Sequence, residues 1–114
     1  WCRTIAEVTG QVLSQVQSPM CRADMQKISG VYNLTNGGET TWHGFTKAIK
    51  QNMANANKTE THYAVLYPIT SDQYKTAARR PTNSSLALNK IISTFSLTPA
   101  SWEYVLSKVC VEDI

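Results

Sequence analysis

Two histidines, His43 and His62, and a run of cations are the residues here whose chemistry reaches beyond packing. Two imidazoles can share acid–base work. One would take the 2′-hydroxyl proton of an RNA strand while the other protonates the leaving oxygen, and a lysine or arginine would steady the phosphorane. Between His43 and Lys90 stand seven cations (Lys47, Lys50, Lys58, Lys75, Arg79, Arg80, Lys90) against Glu60 and Asp72, a local balance of +5 within a chain of net +3. His43, Lys47 and Lys50 recur at i, i+4 and i+7, which puts them on one helix face. With Arg79 and Arg80 they form the candidate nucleic-acid surface, because phosphate contacts need charge rather than a motif. Solvation of a surface helix is the commoner cause of such a bias and the favoured reading of this face.

Other chemistries lack their residues. The sequence contains no G-x-S-x-G, no Gly-rich phosphate loop, no H-E-x-x-H and no D-x-D calcium loop. Its three cysteines, Cys2, Cys21 and Cys110, include no C-x-x-C pair, so neither a metal nor a cofactor is expected. Cys21 and Cys110 fall on apolar helix faces and read as small hydrophobes. Asn33, Asn57 and Asn83 each begin an N-x-S/T acceptor pattern.

The elements that must position these residues are mostly helical. From Thr82 to Cys110, Leu88, Ile91, Ile92 and Phe95, then Trp102, Val105, Leu106 and Val109, form two apolar stripes around Leu97-Thr98-Pro99. Thr98-Pro99 reads as a helix start, since the hydroxyl caps and the proline loses no hydrogen bond. Trp102 is expected to be buried against Phe95 and Ile92. Earlier helices are predicted from about Arg3 to Ser18, from Pro19 to near Gly30, and from about Thr41 to Asn55 with a Trp42, Phe45, Ile49, Met53 stripe. Asn36-Gly37-Gly38 demands a turn through positive φ. His62 to Ile69 reads as a strand, with Val31 to Leu34 its visible partner. Thr70-Ser71-Asp72-Gln73 resembles a capping box opening a helix that stops before Pro81.

At 114 residues with 42% hydrophobic and 17% charged content, the chain is expected to form a single compact domain over residues 1–114. Its fold class is mainly α, a compact bundle of five to six short helices with at most a small two-stranded element. No apolar run approaches the roughly 20 residues of a membrane span. A start on Trp1-Cys2 rather than Met suggests a piece of a longer or processed protein.

Missing catalytic constellations and ample apolar helix faces favour a non-catalytic helical module that binds a protein partner or self-associates. The alternative is an RNA or single-stranded DNA backbone-binding domain through His43, Lys47, Lys50, Arg79 and Arg80. The final helix pair fits a helix-turn-helix pattern, but Ala100, Ser101, Glu103, Tyr104 and Ser107 include no base-reading side chain. A small His/Lys-dependent ribonuclease is the second alternative.

Overall fold

The computed structural model describes residues 2–17, 22–56 and 63–112. Five helices form in chain order: α1 Cys2–Val16, α2 Arg22–Ile28, α3 Trp42–Ala56, α4 Asn89–Phe95 and α5 Trp102–Glu112. The fold is mainly α, as the periodicity predicts. Among the described residues the sole β feature is one isolated parallel bridge, Gly37 to Ser101. Among the described residues no helix is long and apolar enough to cross a membrane. Contacts divide the chain into two units, residues 1–38 with 86–102, and residues 39–85 with 103–114.

The first unit holds every buried residue among those described: Thr4, Val8, Ile91, Phe95 and Leu97. Val8 comes from α1, and Ile91 and Phe95 sit one turn apart on α4, the i, i+4 spacing that puts both on one face. Helix α4 stops because Ser96 turns left-handed, with φ 50°. That reversal carries Leu97 back into the core, its amide 3.3 Å from the Ile92 carbonyl. Tyr32 leans on Phe95, ring centroids 5.3 Å apart. Lys90 Nζ lies 4.6 Å from the Tyr32 centroid and donates to the Val31 carbonyl at 2.8 Å. Asparagine 33 donates from Nδ2 to the Ala87 carbonyl at 3.3 Å, a second tie between the 31–36 segment and the chain entering α4.

Several expectations need correction. Thr98-Pro99 does not start a helix, because this backbone is engaged elsewhere. Gly37 N–H donates to the Ala100 carbonyl at 2.9 Å, and Trp102 N–H donates to Gly37 O at 3.0 Å, so α5 begins only at Trp102. A Cβ on Gly37 would lie 3.2 Å from the Pro99 oxygen, so a larger residue there would have to push the Pro99 carbonyl aside. The φ of +86° at Gly38 supplies the expected turn. Ile92 is 39% exposed and Trp102 only half-buried, so Ile91 and Leu97, with Phe95, take the core places assigned to them. The predicted strand is an extended segment over residues 63–70 with no ladder; His62 lies outside the described residues. The capping box forms, Thr70 N–H donating to Gln73 Oε1 at 3.0 Å and Gln73 N–H to Thr70 O at 3.0 Å, yet only one turn follows. Ser18-Pro19, Cys21 and Asn57 fall outside the described residues.

Candidate functional site

The sequence-selected cations all lie in the second unit, residues 39–85 with 103–114. Helix α3 positions three of them. Its start is fixed by Thr41, whose Oγ1 accepts from Gly44 N–H at 3.0 Å, the N-cap contact that satisfies an otherwise orphan donor. His43 is half-buried, Lys47 is exposed and Lys50 is half-buried. Lys50 Nζ donates to the Ala64 carbonyl at 3.1 Å, so this cation clips the extended 63–70 segment to α3. Of the three residues on that helix face, one is thereby committed to structure. The predicted partner of His43 in acid–base chemistry, His62, lies outside the described residues.

Arg79 and Arg80 sit elsewhere, in the irregular segment between the Thr70–Gln73 turn and α4, and both are exposed. Local hydrogen bonds shape this loop. Thr76 Oγ1 donates to the Ala78 carbonyl at 2.7 Å, just before the arginine pair. Just after it, Asn83 Oδ1 accepts from Ser85 N–H at 2.9 Å, an Asx turn. Pro81 between them fixes its own φ and holds Arg80 away from helical geometry. Among the described residues neither guanidinium takes part in an ion pair or hydrogen bond. Each therefore keeps its planar fork of donors for an external oxyanion, the geometry that matches phosphate bidentately.

Aromatic surface accompanies the charge. Trp42 is 84% exposed and Tyr67 77%, with Tyr74 and Tyr104 also on the surface, all in this unit. Trp42 was expected on the buried stripe of α3, and the structure corrects this. Phe45, Ile49 and Met53 are half-buried, while Trp42, at the first helical position, faces solvent. Exposed aromatic rings and unpaired arginines within one unit are the residue types that suit a ligand planar at one end and anionic at the other.

The first unit offers a different feature, an apolar cavity of about 250 Å³ lined by residues that include Val8, Val12, Leu13, Leu34, Ile91 and Phe95. Ligand pockets usually enclose about 300–1,000 Å³ and add converging polar groups. Here the Tyr32 hydroxyl is already donated to the Ile28 carbonyl at 2.5 Å. The cavity is the open edge of the core rather than a place for a charged ligand. Among the described residues no three His, Cys, Asp or Glu side chains gather as a metal site would require.

Comparison with known proteins gives one consistent result. The model of the RmlD substrate binding domain matches residues 1–113. A dTDP-4-dehydrorhamnose reductase of Burkholderia thailandensis is 33% identical over 115 aligned positions, covering all of this chain and 38% of that protein. The dTDP-4-dehydrorhamnose reductase of Aggregatibacter actinomycetemcomitans is 27% identical, covering 90% of this chain and 40% of its own length. That of Escherichia coli is 31% identical over 91 positions, 78% of this chain and 29% of its own. The chain thus spans two-fifths or less of the length of these relatives. No solved structure matches.

These similarities overturn the reading of a non-catalytic module that binds a protein partner or self-associates, because the relatives are reductases. The nucleic-acid and ribonuclease alternatives fall with it. Reasoning from motifs missed the function because it looked for complete catalytic sets.

Proposed function

We propose a function that proceeds from family membership: the chain belongs to the RmlD substrate binding domain family, and it holds a thymidine-diphosphate sugar in place for reduction. The observation that carries this reading is the family match over residues 1–113. The reaction named for its relatives turns a sugar ketone into an alcohol, which takes a hydride and a proton. This sequence has no Gly-rich phosphate loop, so the part proposed for it is recognition and orientation of the sugar nucleotide. The chemistry of the donor lies outside that part.

Arg79 and Arg80 take the diphosphate. They are exposed, unpaired among the described residues, and set in a loop that Pro81 and the Asx turn at Asn83 shape. Two neighbouring guanidinium forks can each bind a phosphate oxygen pair. His43 and Lys47 on α3 add positive potential within the same unit, and Lys50 contributes through its hold on the 63–70 segment. The exposed Trp42 and Tyr67 rings supply faces on which a thymine base can stack.

Displacement tests this assignment. Labelled dTDP bound to the chain should be competed off by inorganic pyrophosphate, and the affinity of dTDP should fall as salt rises, because screening weakens exposed charge pairs. Bound dTDP that pyrophosphate cannot displace, or binding indifferent to salt, would contradict recognition through the diphosphate.

A further inference from the structure

We propose that Asn83 is a site of spontaneous deamidation in the folded chain, and that Asn36, the residue whose sequence favours the reaction most, is protected by the fold. Deamidation begins when the backbone nitrogen of the following residue attacks the asparagine Cγ. A cyclic succinimide forms, ammonia leaves, and water opens the ring to aspartate or isoaspartate. No oxidant or reductant is involved. Glycine is the fastest following residue because it has no side chain to hinder the attack and leaves the backbone free to reach the required geometry. Serine is also small. On sequence alone, Asn36-Gly37 should therefore react before Asn83-Ser84. The remaining asparagines, Asn33, Asn52, Asn55, Asn57 and Asn89, precede Leu, Met, Ala, Lys and Lys.

The structure reverses that order. Gly37 N–H, the attacking group at Asn36, donates to the Ala100 carbonyl at 2.9 Å. Gly37 O in turn accepts from Trp102 N–H at 3.0 Å, so both sides of the glycine are held in the bridge. A nitrogen that must lose its proton to attack is disabled by this bond, and the bridged backbone cannot swing toward Cγ. Asn36 is also half-buried. At the second site Asn83, Ser84 and Ser85 are all exposed. Asn83 Oδ1 accepts from Ser85 N–H at 2.9 Å, which folds the side chain over the following peptides and draws electron density from Cγ. No hydrogen bond engages Ser84 N–H among the described residues.

The product carries a carboxylate three residues after Arg80 and lowers the net charge of +3 by one. If the loop binds diphosphate, a point that rests on the function proposed above, the new anion competes with the ligand for Arg79 and Arg80 and weakens it. The modification acts as a slow, one-way loss of affinity written into the binding loop.

Peptide mapping by mass spectrometry, with isoaspartate detection, tests the order. After incubation of the native chain in mildly alkaline buffer, the Asn83 peptide should convert first and the Asn36 peptide about tenfold more slowly, since its conversion waits on local opening. In urea the order should reverse. Asn36 converting as fast as Asn83 in the native chain would overturn the proposal. Asn83→Asp should bind dTDP about threefold to tenfold more weakly than the unmodified chain. Equal binding by Asn83→Asp would overturn the proposed loss of affinity. Failure of the unmodified chain to bind dTDP would sink the substrate reading instead, and the order of conversion would still decide the modification.

Discussion

Phe95→Ala is expected to lower the stability of the chain by about 3–5 kcal/mol, read as the shift of a chemical-denaturation curve. Phe95 is 6% exposed and meets Val8, Ile91 and Leu97 in the small cluster that forms the first unit's core. Truncation removes the ring that Tyr32 packs against at 5.3 Å. It also enlarges an apolar cavity already about 250 Å³ in volume, so there is little chance that neighbours collapse to fill the space. Domains of this size hold only about 5–15 kcal/mol in total. The loss is therefore large enough to leave a sizeable unfolded population at ordinary temperature. Ile92→Ala, one residue along the same face predicted from sequence, is the contrast. Its side chain is 39% exposed, and its loss should cost under about 1.5 kcal/mol. Equal effects at the two positions would mean that the core is not where the structure puts it.

That contrast shows where the sequence was legible. Helical period identifies α1 to α5 because each carries apolar residues recurring at helical spacing, and the α3 start is readable in Thr41. It does not decide between Ile91 and Ile92, which lie about 100° apart within one broad apolar stripe. That choice is made by Ser96, whose left-handed turn brings Leu97 in beside Ile91 and Phe95. The strand predicted at His62–Ile69 fails for a related reason. Valine, leucine, tyrosine and isoleucine make an extended segment easy to form, but a ladder needs a partner strand, which local composition cannot supply. The capping box at Thr70–Gln73 is correct in its hydrogen bonds and wrong in its consequence. A cap adds about 1 kcal/mol, too little to carry a helix through Thr76 toward Pro81 without an apolar face to bury.

The candidate site divides the same way. Arg79 and Arg80 are visible in sequence as charges, but not as a pair left unengaged on an exposed loop. Lys50 and Trp42 trade the roles their spacing predicts: the lysine is tied to the Ala64 carbonyl, while the tryptophan stands in solvent. Recognition of a small anion requires no spaced motif, so nothing in the pattern of residue types separates a diphosphate site from a solvated basic surface.

The second large effect belongs to those arginines. Arg79→Ala combined with Arg80→Ala should weaken dTDP binding by between about tenfold and a hundredfold. A hydrogen bond to a charged group contributes about 1.5–3 kcal/mol when well formed, and each 1.4 kcal/mol is tenfold in affinity. Exposure and salt reduce this toward the lower end. The two residues are adjacent and share a ligand, so their single effects need not add. Among the described residues neither makes a hydrogen bond or ion pair, and the double variant should melt within a few degrees of the parent. Lys47→Ala, on the exposed face of α3, should cost less, about threefold, because one solvated cation acts only through potential. A double variant that binds dTDP as the parent does would remove these arginines from the site.

The central claim is that this chain recognises a thymidine-diphosphate sugar, and calorimetric titration of the chain with dTDP and with thymidine measures it directly. Saturable binding of dTDP with one ligand per chain, and binding of thymidine weaker by about a hundredfold or more, is the expected result. Thymidine binding as tightly as dTDP, or no saturable binding of dTDP by a folded chain, would contradict it.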